Sequence, residues 1–149
     1  MGRSMAGHLL DAGFRVRIHN RTKQKAQPLL ERGATWCDTP GEVAIGSKFI
    51  FSIVGYPTDV EDILLGDGGV ISSAEAGSVV VDMTTSEPAL AQTIHAKAAA
   101  DGVASLDAPV SGGDLGARNA SLAIMAGGDR EAFDLVRPLF EILGENIAY

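Results

Sequence analysis

Ser78-Val79-Val80-Val81-Asp82-Met83-Thr84-Thr85 is the stretch that decides the fold class of this chain. Its apolar run, Val79–Met83, is nearly continuous, which is typical of a strand that is covered on both faces. Phe49–Val54 is a second run of this kind, and Arg15–His19 alternates as a strand does. Longer windows with helical periodicity lie between these runs. The alternation predicts parallel strands that are joined by crossover helices.

The helical windows are bounded by glycine and proline. We predict helices before Gly13, over about residues 23–32 before Gly33, after Pro57, and over about residues 87–101. The sequence contains no repeat and no low-complexity linker. Residues 1–149 therefore form one doubly wound α/β unit with a mostly parallel sheet.

The pattern changes in the last third of the chain. A short strand ends at Asp107, and Ser111-Gly112-Gly113 is predicted to form a loop. Another strand follows over Ser121–Ala126. A helix capped by Asp129 then runs to about Leu143. Its buried stripe is predicted to comprise Phe133, Val136, Leu139, Phe140 and Leu143. A last strand begins at Ile147–Tyr149.

Composition excludes several classes of function. The net charge of −7 disfavours a nucleic-acid partner, because phosphate backbones require a basic face. The apolar runs have the length of strands and are far shorter than the roughly 20 residues of a membrane helix, so no membrane partner is expected. A single cysteine, Cys37, excludes an internal disulfide and fits a reducing, cytoplasmic compartment. We expect no metal site.

The beginning of the chain departs from the usual dinucleotide fold. Such a fold starts with a buried strand and a glycine-rich turn whose N–H groups meet the pyrophosphate. Here a helix starts at once after Met1-Gly2, which supplies only the last glycine of such a turn. We therefore expect a sheet that lacks its first, central strand. The sequence is expected to be truncated at its start, or another segment fills the gap.

Several segments together resemble the 3-hydroxyacid dehydrogenase family, which includes 3-hydroxyisobutyrate dehydrogenases and tartronate semialdehyde reductases. In chain order they are Met1-Gly2-x-x-Met5-Ala6-x-x-Leu9-Leu10-x-Ala12-Gly13, Asn20-Arg21-Thr22, Asp82-Met83-Thr84-Thr85, Asp107-Ala108-Pro109-Val110-Ser111-Gly112-Gly113, Gly116-Ala117 and Ile124-Met125-x-Gly127-Gly128. The resemblance covers essentially the whole chain. It implies a Rossmann-like NAD(P)-binding domain over residues 1–149.

The adenosine end of a cofactor is predicted to lie at Asn20-Arg21-Thr22. An acidic residue after the second strand would bond a ribose 2′-hydroxyl and favour NAD, whereas an arginine pairs with a 2′-phosphate. Arg21 and its neighbours therefore favour NADP(H), with NAD(H) possible. The alternative is an exposed arginine on a turn. Met1 and Gly2 are expected to border the pyrophosphate, or Gly2 is a plain turn glycine.

Three further residues are candidate cofactor contacts. By the family's pattern, Thr85 lies near the nicotinamide ribose; the alternative is an N-cap for the helix that begins near Glu87, a role that Ser86 could also fill. Val54 and Gly55 follow the preceding strand. They are either backbone contacts under the dinucleotide or packing residues.

The resemblance implies a substrate site at Ser111, Gly112 and Gly113. Glycine leaves backbone N–H groups exposed, and a serine adds a hydroxyl donor, so this segment can bind a carboxylate without a full positive charge. The expected partner is a small hydroxyacid. The implied reaction is the reversible reduction of an aldehyde-acid, such as tartronate or methylmalonate semialdehyde.

The family's catalytic lysine is expected beyond Tyr149. In the family this lysine lies on a long helix after the nucleotide domain, with an asparagine one turn later. None of the four lysines of this chain lies in a matching motif, so we expect no catalytic residue here and an inactive polypeptide. The family's C-terminal helical domain, also expected beyond the end, builds a homodimer or tetramer.

Two alternatives remain. A 6-phosphogluconate dehydrogenase shares the Val-Ser-Gly-Gly segment, and Gly116-Ala117-Arg118 favours it, but Asp107-Ala108-Pro109 and Asp82-Met83-Thr84-Thr85 do not. The other alternative is a non-catalytic NADP-binding module, for which relatives that lack the lysine are a template.

Overall fold

Nine short strands form three sheets in the computed structural model, which describes residues 1–149. The strands are β1 (Arg17–Ile18), β2 (Thr35–Trp36), β3 (Phe49–Ser52), β4 (Val79–Asp82), β5 (Ala104–Asp107), β6 (Val110–Ser111), β7 (Leu122–Met125), β8 (Gly127–Gly128) and β9 (Gly144–Ala148). The central sheet has the order β3-β4-β5-β8. In it β3, β4 and β5 are parallel, and β8 is antiparallel to β5.

The other sheets flank this one. A parallel pair joins β1 to β2, and the third sheet has the order β6-β7-β9. No strand of the chain joins β1 to β3, since β1 pairs only with β2 and β3 only with β4. This break confirms the expectation of a Rossmann-like sheet without its first strand.

Eight α-helices connect and cover the strands. They are α1 (Gly2–Asp11), α2 (Gln27–Leu30), α3 (Pro40–Ala44), α4 (Pro57–Leu65), α5 (Val70–Ser73), α6 (Pro88–Ala100), α7 (Gly113–Asn119) and α8 (Arg130–Leu143). A 3₁₀ turn over Lys23–Ala26 leads into α2, so the helix predicted over residues 23–32 is shorter and irregular. None of the helices has the length and apolar character that a membrane span requires.

The apolar core lies on both faces of β4. Val79 and Val81 belong to one buried cluster, which also contains Phe140 of α8. Val80 points the other way and joins a second cluster with Val60 of α4. Successive strand residues face opposite sides of a sheet, which explains why an unbroken apolar run is needed here. The prediction of a strand covered on both faces is confirmed for β4.

The helix α8 also agrees with its predicted pattern. Its five predicted stripe residues are all buried. Asp129 occupies the N-cap position, although its side chain accepts no cap hydrogen bond. The last strand begins earlier than predicted, because β9 starts at Gly144 directly after the helix.

The segment Ser111-Gly112-Gly113 is not the loop that its glycines predicted. Ser111 ends β6, which pairs with β7, and Gly113 is already the first residue of α7. The reversal is confined to the two glycines, whose φ angles of +124° and +58° lie in a region that other residues rarely adopt. A strand and a helix are therefore joined without an extended loop.

Candidate functional site

Several predicted site residues follow the carboxyl ends of parallel strands. Val54 and Gly55 follow β3, and Thr84 and Thr85 follow β4. The backbone N–H of Val54 donates to Thr84 Oγ1 at 3.0 Å, which ties the two strand ends together. Ligands of open α/β sheets bind outside this edge. The structure thus brings these candidates to the edge where a cofactor would bind.

The Arg21 side chain lies close to the residues that follow β3. Its Nη1 is 3.5 Å from Asp59 Oδ1, and the guanidinium side chain is 87% exposed. A Cβ placed on Gly55 would in turn lie 3.5 Å from Asp59 Oδ2. Asn20 Nδ2 donates to the carbonyl of Thr22 at 2.8 Å and shapes the turn that carries Arg21. The turn after β1 and the turn after β3 therefore meet at one carboxylate.

The start of α1 packs closely against the residue that follows β3, so a side chain at Gly2 would be crowded. A Cβ there would lie only 3.0 Å from Ile53 Cγ2. The first turn of α1 contains no acidic residue, and Met1 at the N-cap makes no side-chain cap bond. The free N–H groups and the positive end of the helix dipole favour an anion. These residues fit the pyrophosphate of a dinucleotide.

The start of α1 also lies beside the start of α7. The Met1 nitrogen is 3.7 Å from Asp114 Oδ1. Further along the same two helices, His8 Nε2 lies 3.0 Å from the carbonyl oxygen of Ala117. Since Asp114 follows directly on Ser111-Gly112-Gly113, the predicted cofactor turn and the predicted substrate segment are neighbours.

The predicted substrate segment is open to solvent. Ser111, Gly112 and Gly113 are all exposed. Gly112 and Gly113 occupy the N-cap and first positions of α7, so their N–H groups have no acceptor within the helix. A Cβ on Gly112 would lie 3.4 Å from both Gly116 Cα and Leu122 Cδ2. The segment can present donors to a small acid, and the φ of +124° disfavours any residue with a side chain at Gly112.

The capping alternative for Thr85 and Ser86 is wrong. The N-cap of α6 is Glu87, and it makes no side-chain cap bond. Pro88 occupies the first helical position and fixes the start of the helix there, which leaves Thr85 and Ser86 outside it. Thr85 is exposed, whereas Ser86 Oγ is buried without a hydrogen-bond partner.

A carboxylate pair was not predicted from the sequence. Asp82 and Asp107 are the last residues of β4 and β5 and border a cavity of about 340 Å³ together with Ser86 and His95. Burial raises the pKa of Asp82, although hydrogen bonds from Thr84 and Ser52 oppose the shift. Burial also raises the pKa of Asp107, and the charge of Asp82 raises it further. Asp82 and Asp107 each begin a segment that carries the family resemblance. Their proximity follows from the register of β4 and β5, which the sequence alone does not show.

None of the four lysines lines the cavity that Asp82 and Asp107 border. Lys97 pairs with Asp101 on α6 at 2.9 Å. The Nζ atom of Lys23 lies 5.1 Å from the Trp36 ring centroid. The Nζ atom of Lys48, at the amino end of β3, lies 5.6 Å from the ring centroid of its neighbour Phe49. The cavity beside the two carboxylates therefore holds no lysine ammonium.

Comparison with known proteins gives consistent matches. The family model for the NAD binding domain of 6-phosphogluconate dehydrogenase matches residues 1–149. The chain is 51% identical over 146 residues to the probable 3-hydroxyisobutyrate dehydrogenase-like 1, mitochondrial, of Arabidopsis thaliana, with 97% of this chain and 44% of that protein covered. It is 38% identical over 147 residues to the 2-hydroxy-3-oxopropionate reductase of Escherichia coli strain K12, with 99% and 50% covered.

A solved structure matches equally well. The structure described as Psf3 in complex with NADP+ and 2-OPP has a TM-score of 0.94 and 31% identity, and the match covers 100% of this chain and 53% of that one. The chain thus spans about half the length of the relatives it matches.

Proposed function

Because this chain belongs to the family of the 6-phosphogluconate dehydrogenase NAD binding domain, we propose that it is the dinucleotide-binding part of an NADP(H)-dependent oxidoreductase. Residues 1–149 act as one cofactor-binding domain. The reaction interconverts a small 3-hydroxyacid and its semialdehyde, of the 2-hydroxy-3-oxopropionate reductase or 3-hydroxyisobutyrate dehydrogenase type.

The proximity of two helix starts carries this proposal. The amino end of α1, where Gly2 packs closely against Ile53, lies beside the amino end of α7, which follows the Ser111 segment. A dinucleotide that extends from Arg21 across Gly2 toward Thr85 would end near the donors of Ser111, Gly112 and Gly113. Such an arrangement holds cofactor and substrate together, as hydride transfer requires.

The positive charge of Arg21 supports the preference for NADP(H). Arg21 is the exposed cation at the adenosine end, and a guanidinium pairs well with a phosphate. The structural relative that was solved with NADP+ supports the same preference. NAD(H) remains a second cofactor, since the ribose would bind without its phosphate. Val54 and Gly55 would support the dinucleotide through backbone contacts.

The uncharged donors of Ser111-Gly112-Gly113 support a small acid as the substrate. The Ser111 hydroxyl and the N–H groups of Gly112 and Gly113 would hold the carboxylate of a short acid. The bound cofactor supplies or accepts the hydride. The residues of this chain bind and orient the cofactor and the substrate. The resemblance assigns the proton transfer to a lysine outside residues 1–149. The protein is proposed to be cytoplasmic and to assemble as a homodimer or tetramer.

Activity measurements test the proposal directly. The longest natural polypeptide that contains these residues is assayed with NADPH or NADH and with tartronate or methylmalonate semialdehyde, with 6-phosphogluconate and NADP+ as the comparison. We expect turnover of a semialdehyde acid with preference for NADPH. Turnover of 6-phosphogluconate alone, or nucleotide binding without any turnover, would contradict the assigned reaction.

A further inference from the structure

Asp59 is the only carboxylate paired with Arg21. Its Oδ1 is 3.5 Å from Arg21 Nη1, and its Oδ2 would lie 3.5 Å from a Cβ placed on Gly55. The Asp59 side chain is 25% exposed, whereas that of Arg21 is 87% exposed. The carboxylate is therefore the more enclosed member of the pair, and the guanidinium is the more solvent-exposed one.

The position of Asp59 on its helix explains why the carboxylate is held there. Pro57 is the first residue of α4, and Asp59 lies in the first helical turn. An acidic side chain in the first turn is stabilised by the helix dipole and by free N–H groups. The negative charge at this edge is thus a fixed feature of the helix start, in the turn that also carries Gly55.

We infer that Asp59 sets the degree of preference for NADP(H) over NAD(H), because its carboxylate competes with the 2′-phosphate for the Arg21 guanidinium. The inference rests on the proposed function. A phosphate that binds Arg21 must displace Asp59 or share the cation with it. NAD(H) carries a neutral hydroxyl at this position and does not meet that repulsion.

The geometry of the Arg21–Asp59 pair indicates that removing the carboxylate should strengthen NADP+ binding. A single contact of 3.5 Å to a mostly exposed guanidinium restrains the side chain only weakly. Removing Asp59 therefore takes away little order in Arg21. The negative charge, in contrast, acts on any anion bound nearby, and it acts more strongly on a phosphate than on a hydroxyl.

Calorimetric titration with NADP+ and NAD+ tests the inference on the longest natural polypeptide that contains these residues. The test variant is Asp59→Asn, and Asp59→Ser repeats the loss of charge with another side chain. Asp62→Asn is the matched control, because Asp62 is exposed on the same helix and has no ion-pair partner. Thermal melting checks that each variant is folded.

We expect Asp59→Asn and Asp59→Ser to tighten NADP+ binding by about threefold to tenfold, with NAD+ affinity changed by less than about twofold. Asp62→Asn should leave both affinities unchanged. An NADP+ to NAD+ affinity ratio that stays the same or falls in both test variants overturns the inference while the proposed function stands. A wild-type protein that binds neither nucleotide overturns the proposed function, and the inference with it.

Discussion

Asp82 and Asp107 lie directly opposite each other at the carboxyl ends of β4 and β5. In neighbouring parallel strands, opposed residues point to the same face, so both carboxyl groups border one cavity with His95. Burial raises the pKa of both groups, and the Asp82 charge adds to the shift at Asp107. The fold therefore holds two like charges at its sheet edge, at a cost in stability when both are ionised.

Neutralising one member of this pair should stabilise the protein at neutral pH. We expect Asp107→Asn to raise the free energy of unfolding at pH 7 by less than about 1 kcal/mol, because Asp107 is partly exposed. Urea unfolding followed by circular dichroism measures the change. Asp67→Asn, at an exposed residue outside the cavity, is the control and should have no effect.

The pH dependence has a defined sign. A carboxyl whose pKa is raised in the folded state binds protons there at a pH where the unfolded chain has lost them. In the wild type, the contribution of Asp82 and Asp107 to the free energy of unfolding is therefore fully present below about pH 4, near the ordinary aspartate pKa. This contribution is lost as the pH rises through the raised pKa values of the two folded-state carboxyl groups. Asp107→Asn should flatten this fall. If the gain in unfolding free energy from Asp107→Asn grew toward acid pH, the raised pKa of Asp107 would be contradicted.

A side chain at Gly2 should weaken dinucleotide binding. The position of its Cβ is only 3.0 Å from Ile53 Cγ2, so Gly2→Val crowds Ile53 and should displace the start of α1. We expect a loss of NADP+ affinity of at least about tenfold, since misplaced donors no longer meet the pyrophosphate. Ser4→Ala on the same helix is the control. Equal affinity of Gly2→Val and wild type in calorimetric titration would exclude this turn from the site.

The Ser111 hydroxyl should affect the acid substrate and not the cofactor. Ser111→Ala removes one donor to a carboxylate, and a hydrogen bond to a charged group contributes about 1.5–3 kcal/mol. In the longest natural polypeptide that contains these residues, we expect kcat/KM for the semialdehyde acid to fall by about tenfold to a hundredfold, with the KM for NADPH unchanged. Ser121→Ala, at the far end of α7, should behave as wild type. A change confined to the NADPH KM would place Ser111 at the cofactor instead.

The core position of Phe140 predicts a large loss of stability. Phe140 is fully buried and lies edge-on to Phe51 at 6.3 Å between ring centroids. Phe140→Ala should destabilise the protein by about 3–5 kcal/mol through lost burial and the remaining cavity. Phe14→Ala, at an exposed position, should cost far less. Urea unfolding of both variants provides the comparison.

The sequence predicted long, periodic elements well and short ones poorly. The strand β4 and the helix α8 were identified because an apolar run and a helical stripe both extend over several residues. The helix α3 was missed, although Thr39-Pro40-Gly41-Glu42 is a capping-box pattern and Glu42 N does donate to Thr39 Oγ1 at 3.2 Å. Five residues are too few to show a helical period.

Some candidate site residues could also be proposed from the sequence, whereas others could not. The sequence proposes Arg21 and the Ser111 segment as site residues, because their residue types match the chemistry of a phosphate and a carboxylate. Asp59 was missed, although it stands only four residues after Gly55, because its contact with Arg21 joins turns that are 38 residues apart. The Asp82–Asp107 pair likewise depends on the register of two strands. Residue type can be read locally, whereas such pairings require the tertiary structure.

A crystal structure with bound NADP+ tests the central claim most directly. We predict the pyrophosphate at the amino end of α1 above Gly2, the 2′-phosphate on Arg21, and the nicotinamide directed toward Thr85 and the Ser111 segment. A nucleotide bound away from this edge of the sheet, or one whose 2′-phosphate lies apart from Arg21, would contradict the account.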